Sequence, residues 1–203
     1  MFSVFALFLT MQMTTHVGPM TSGTPAVEPH MAVNGSTVAL TFGAGHVIYS
    51  DVSHDSGRTF SGPVKVAEAP ILPLSMHRGP RIAFTEDAIV ITAVVGKIDA
   101  HEYGKPADGN LMAWRSTDGG KTWSKGVAIN DVPAAPSEGL PALASNGKQK
   151  LFAAWLDPVR LIHGFATAAQ RTRRTRDRCG TASNSRFAPH HYLLYLSILS
   201  KKE

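Results

Sequence analysis

Ser53-His54-Asp55-Ser56-Gly57-Arg58-Thr59-Phe60 and Ser116-Thr117-Asp118-Gly119-Gly120-Lys121-Thr122-Trp123 are the same turn written twice. Both read Ser-x-Asp-x-Gly-x-Thr-aromatic, and their aspartates stand 63 residues apart. Each position has a mechanical use in a tight β-turn. The Asp carboxylate accepts hydrogen bonds from backbone N–H groups two or three positions on, and Gly supplies the positive φ that closes the turn. Thr leads into the next strand, and the aromatic ring packs under the sheet. A turn repeated at a fixed period is the mark of an array of similar structural units.

Working outward from the turns, three segments share one pattern. Residues 31–35 (Met-Ala-Val-Asn-Gly) precede an apolar strand at 37–42, residues 81–85 (Arg-Ile-Ala-Phe-Thr) precede one at 88–95, and residues 143–147 (Leu-Ala-Ser-Asn-Gly) precede one at 151–155. Each reads as strand, short polar turn, strand. In the first two units a third strand follows, at 46–50 and 111–116, and the repeated turn leads to a fourth at 64–67 and 126–129. No stretch before residue 157 shows sustained helical periodicity. Four antiparallel strands per unit make a propeller blade. The turn itself is the Asp-box, and on it the chain resembles the sialidase-like β-propellers, the BNR-repeat family. The expected fold is all-β: a partial propeller of two four-stranded blades and the start of a third.

At 203 residues the chain has the length of one ordinary domain. Its net charge of +5 is unevenly placed. Residues 1–157 carry 11 Lys/Arg against 13 Asp/Glu, whereas residues 158–203 carry 9 against 2. The basicity therefore belongs to the tail, and the propeller segment gives no reason to expect a nucleic-acid partner. Cys179 is the single cysteine, which excludes an internal disulfide and a multi-Cys zinc site. The domain reading is a leading segment at 1–27, an Asp-box propeller fragment at 28–157 and a basic tail at 158–203.

Residues 1–11 are apolar enough for the h-region of a secretory signal and too short to span a bilayer. No Lys or Arg precedes them, and no small-x-small cleavage site follows. Two readings stand: a signal for a secreted or periplasmic protein, or a loosely packed N-terminus. The chain otherwise offers no transmembrane span.

The third unit breaks after Trp155-Leu156-Asp157. Where a third strand and a third Asp-box are expected, the chain reads Gln170-Arg171-Thr172-Arg173-Arg174-Thr175-Arg176-Asp177-Arg178. A phosphate-binding arm, a solvated linker and a reading-frame slip all fit this composition. The genetic code permits the third. In the shifted frame the codons for Arg174–Thr175 can give Asp, those for Arg176–Asp177 Gly, and those for Cys179–Gly180 only Trp or Arg. That frame can spell Ser-x-Asp-Ser-Gly-x-x-Trp, the missing box. The run Tyr192-Leu193-Leu194-Tyr195-Leu196-Ser197-Ile198-Leu199 is then an accidental apolar segment and an aggregation hazard.

The resemblance implies a chemistry. In the sialidase family three arginines hold the substrate carboxylate, an aspartate is acid/base, and a glutamate-activated tyrosine is the nucleophile. The first arginine opens a blade in an Arg-Ile-Pro motif. Arg81-Ile82-Ala83 opens the second unit here and matches two of those three positions, which makes Arg81 the substrate-binding candidate. Asp99, in Ile98-Asp99-Ala100, lies between it and the second Asp-box and is the acid/base candidate, with Asp108 as the alternative. The departures are Ala83 for proline and the lack of an arginine shortly before Asp99, where Lys97 is the nearest cation. Tyr103 stands in the wrong loop for the nucleophile, and the family's nucleophile and remaining arginines come from later blades. An exposed or inter-strand arginine and a solvated loop carboxylate are the plain readings of Arg81 and Asp99.

His16, His30, His46, His54, His77, His101 and His163 are scattered singly, and His190-His191 are adjacent, so no pair has metal-ligand spacing. There is no Gly-x-Gly-x-x-Gly or Walker loop, and no cofactor is expected. Trp114, Trp123 and Trp155 read as fillers between blades or as sugar-stacking platforms. Two functions fit: a sialidase-like exo-glycosidase whose catalytic set this chain only partly carries, or a non-catalytic propeller binding glycan or protein. The expected partner is a carbohydrate or glycoconjugate.

Overall fold

The computed structural model describes residues 24–75, 77–99, 106–130, 139–158 and 192–200. The apolar leader (1–11), Tyr103 and the arginine-rich stretch with its frame-shifted Asp-box reading lie outside them. Among the described residues there is no helix, and eleven strands form three antiparallel sheets. Blade 1 is β1 (Val27–Asn34), β2 (Thr37–Ala44), β3 (Val47–Ser53) and β4 (Val64–Glu68), paired in chain order. Blade 2 repeats this with β5 (Arg81–Phe84), β6 (Ile89–Val95), β7 (Asn110–Ser116) and β8 (Val127–Ala128). These are the strands expected from the apolar runs, displaced by one to three residues at most ends.

The third sheet holds β9 (Gly139–Ser145), β10 (Lys150–Pro158) and β11 (Tyr192–Ser200). Its last strand is the apolar run of the basic tail. Tyr192–Ser200 pairs with β10 over nine consecutive positions, from Pro158↔Tyr192 to Lys150↔Ser200. A strand that leaves one edge of β10 unpaired exposes a row of N–H and C=O groups, and a β-prone run such as this one is the natural partner.

The blades stack face to face. Ile48 and Val52 of β3 and Ala39 of β2 meet Ile82, Ile89, Ile91 and Trp114 of blade 2, all buried. Across the other face of blade 2, Val94 and Leu111 meet Ala153 and Trp155 of β10. Alternation along β6 explains this: Ile89, Ile91 and Ala93 point to blade 1, while Val90 and Val94 point to the third sheet. A central blade is apolar on both sides for that reason, so β6 reads as a continuous hydrophobic run. Trp114 and Trp155 fill the two seams, and Trp123 packs against the first.

The first strands β1, β5 and β9 lie side by side, with β5 touching both neighbours. A trough of about 320 Å³ runs along them, lined by residues 30–34, 82–85 and 143–145 with Gly147. Consecutive four-stranded meanders, stacked by their faces with their first strands gathered along one line, are propeller geometry.

Candidate functional site

Chain direction sorts the loops onto two rims. β7 runs parallel to β5 and antiparallel to β6. The hairpin 85–88 and the Asp-box 116–123 therefore emerge at one end, and Arg81 with the β6–β7 connection at the other.

On the first rim the two Asp-boxes are built alike. Ser53 Oγ donates to Asp55 Oδ1 (2.7 Å) and accepts the Gly57 N–H (2.9 Å). The Thr59 N–H donates to Asp55 Oδ1 (2.8 Å), and its hydroxyl to Oδ2 (2.7 Å). In the second box the corresponding bonds are Ser116 Oγ to Asp118 (2.8 Å), the Gly120 N–H to Ser116 Oγ (2.9 Å) and the Thr122 N–H to Asp118 (3.0 Å), with Thr122 Oγ1 on the other carboxylate oxygen. Ser61 N–H to Val52 C=O and Ser124 N–H to Arg115 C=O close the two loops at matching positions. The carboxylate thus takes the backbone N–H four residues on as its main backbone partner, with the expected N–H three residues on, that of Arg58 or Lys121, as a lesser one. The threonine serves as its second donor rather than as a strand residue. Positive φ falls on two successive residues, Ser56 (62°) and Gly57 (83°) in one box, Gly119 (75°) and Gly120 (89°) in the other. The Thr59 N–H holds the Asp55 carboxyl far below the usual carboxylate range, and the Thr122 hydroxyl does the same for Asp118. Carboxylates fixed in the ionised form by their own loop are structural clasps, not proton donors.

On the opposite rim Arg81 begins β5. Its Nη1 donates to the carbonyls of Gly79 (3.0 Å) and Pro80 (3.1 Å), and its Nη2 to that of His77 (2.6 Å). The guanidinium is half-buried against the turn that precedes it, and none of these bonds uses Nε. Two side chains of β1 meet the same turn. Glu28 Oε1 accepts the His77 N–H (3.1 Å), and His30 Nδ1 accepts the Ile82 N–H (3.2 Å). Both Glu28 (φ 53°) and His77 (φ 65°) sit in the left-handed region that non-glycine residues seldom occupy. Gly79 has no room for a side chain, since a Cβ there would stand 2.2 Å from Glu28 Cβ.

The β6–β7 connection carries both acidic candidates. Asp99 is exposed and forms an isolated antiparallel bridge with Pro106. Asp108 accepts the N–H groups of Lys97 and Ile98 through Oδ1, both at 2.8 Å. The Ile98 N–H, assisted by that of Lys97 and by the Lys97 charge, holds its carboxyl below the usual range. A general acid needs the opposite shift. Asp108 is the staple that closes this loop, and Asp99 is left as the carboxylate of the rim. Asp51 on β3 is a further buried carboxylate, pushed up by burial while it accepts the Gly62 N–H (2.9 Å) and the Ser61 hydroxyl (3.3 Å). The roles of Glu28 and His30 left no local pattern in the sequence. His30 finds its partner 52 residues away.

Among the described residues no three His, Cys, Asp or Glu side chains gather as metal ligands, and no helix is long and apolar enough to cross a membrane.

No family model matches the sequence, and no curated protein sequence matches it. Solved structures do. The arabinobiose complex of the GH93 α-L-arabinofuranosidase of Fusarium graminearum aligns over 65% of this chain and 40% of its own, at 13% identity and a TM-score of 0.41. The K499G mutant of the NanB sialidase from Streptococcus pneumoniae aligns over 65% of this chain and 20% of its own, at 15% identity and a TM-score of 0.39. The chain thus spans less than half the length of either protein. Its own strand order and stacked meanders carry the fold assignment. They are propeller blades.

Proposed function

We propose that this chain is part of a sialidase-type exo-glycosidase propeller and that, as 203 residues, it does not turn over a sialoside. The observation that carries the reading is the shared rim. Arg81, at the head of an innermost strand, and the loop bearing Asp99 emerge at the same end of blade 2, opposite both Asp-boxes. The three structural bonds of Arg81 engage Nη1 and Nη2 and leave Nε as a donor toward a sugar carboxylate, with Nη2 joining it if the His77 carbonyl is given up. Asp99, exposed in the neighbouring loop, is the proton donor in this reading. One arginine and one carboxylate are not a complete site. Sialoside cleavage also needs a nucleophile and enough positive charge to neutralise the substrate carboxylate.

A fluorogenic sialoside incubated with the purified chain tests this, with no release above buffer as the expected result. Release that disappears in Asp99→Ala would overturn the inactivity. The second reading is a non-catalytic propeller that binds glycan or protein. The three carbonyls that hold the Arg81 guanidinium favour it, because they give that residue a structural task without any substrate. Sialic acid binding that is unchanged in Arg81→Ala would select this second reading.

A further inference from the structure

The innermost strand of a blade has one edge paired and the other turned to the propeller axis. On β5 the paired edge faces β6, and the Ile82 N–H is directed off the unpaired one. No strand takes that donor; a side chain of the adjacent blade does. His30 Nδ1 accepts it at 3.2 Å, and two residues earlier on β1 the Glu28 carboxylate accepts the His77 N–H at 3.1 Å. Residues 28 and 30 stand at the irregularity where β1 shifts register against β2, and both side chains reach the same turn. Their two bonds bracket residues 77–82, the turn whose carbonyls hold Arg81.

We infer that His30 is a proton-sensitive latch that pins the first strand of blade 2 to that of blade 1 and positions the Arg81 turn. Nδ1 accepts a hydrogen bond only while it carries no proton. When the ring takes a second proton, the Ile82 N–H faces another N–H, and a cation is created beside Arg81. Arg81 on β5 is the charge that bears on the ring; Glu28 on its own strand and His77 and Arg78 in the bracketed turn are the other titratable groups of these elements, and β2 presents Thr41 opposite His30. Burial, reinforced by the Arg81 charge, lowers the His30 pKa from its ordinary value. For a base so shifted the unfolded chain binds the proton more readily than the folded one. The latch therefore contributes fully above about pH 6.5. Its contribution falls as the pH drops from there through the lower folded value.

The latch rests on strand geometry and not on any sugar chemistry, so it stands or falls separately from the proposed function. Amide exchange of the full chain, corrected for the intrinsic rate, tests it at Ile82, with the Ala83 amide, which faces the paired edge of the same strand, as reference. Protection at Ile82 is expected to fall between about pH 7.5 and 5, as the ring takes up its second proton. Protection at the reference amide should hold. His30→Asn keeps an acceptor that does not titrate and should flatten the Ile82 profile. Direct titration of the His30 ring by NMR should give a midpoint below 6.5. An Ile82 profile unchanged by pH, a parallel fall in His30→Asn, a uniform fall at both amides, or a ring midpoint at or above the ordinary value would each overturn the inference.

Discussion

Gly120 carries two constraints at once, and they separate it from the other turn glycines. Its φ of 89° is unfavourable for any L-side chain, and a Cβ there would lie 2.7 Å from Val52 Cγ2 of the neighbouring blade. Gly35, with φ 60°, has nothing within 4 Å of the same position. Gly120→Ala should therefore cost about 1–3 kcal/mol from backbone strain and more from the clash, while Gly35→Ala costs the strain alone. Urea unfolding of both variants measures the difference, and equal losses would mean that the seam absorbs the methyl. The box aspartates make a second prediction. Both carboxyls are held far below their usual range, so their stabilisation is complete above about pH 3.9 and is lost as the pH falls further. The acid limb of the stability profile should flatten in Asp55→Asn/Asp118→Asn, whereas a His30 change acts in the separate window at and below about 6.5. The Ser, Asp and Gly of each box were legible because their chemistry is local. The threonine's clasp was not, since an exposed Thr before an aromatic residue reads equally well as strand. His30 was not legible at all, because a ring that satisfies an edge N–H of another blade leaves no spacing to read.

At the scale of elements, the β6–β7 loop shows why a carboxylate's chemistry depends on its partners. Asp108 and Asp99 are equivalent in the sequence, two acids in one connection. The structure separates them by giving Asp108 two backbone N–H groups to hold. Gly96 belongs to the same device: a Cβ on it would stand 2.2 Å from Pro106 Cβ and 2.6 Å from Asp108 Oδ1. Lys97 and Ile98 are exposed, so water can replace the carboxylate at their N–H groups and Asp108→Ala should cost only about 1 kcal/mol. Asp108→Asn retains an acceptor and should cost less. Thermal melts of the two variants check the order, and an equal loss in Asn and Ala would show that the charge, not the acceptor, holds the loop. The strands were readable from alternation and turn residues because each sheet is a meander of neighbours in sequence. β11 escaped for the complementary reason. Its partner β10 lies across a long connection, residues 159–191, so no hairpin signal joins them.

For the whole molecule, the open question is what an arc of stacked sheets does with its outermost apolar face. On β1 Ala32 points to blade 2 and packs there, but Met31 and Val33 point the other way and are 58% and 60% exposed. Both line the wall of the trough along the first strands. Two such side chains in a row on a strand form a small apolar patch with an unpaired backbone edge beside it, the combination that favours association. Magnitude decides its strength. Full burial of a Met or Val side chain contributes roughly 1.5–3 kcal/mol, and the loss of rotational and translational freedom on pairing costs about 4–15 kcal/mol. The two copies of the patch therefore only approach the cost, and association should be concentration-dependent rather than obligate. Light scattering across a dilution series should show a molar mass that rises with concentration, and Met31→Thr/Val33→Thr should shift the chain toward monomer. A mass that stays monomeric over the series would show that the patch is too small to act, and a mass that rises equally in the double variant would place the contact on another surface.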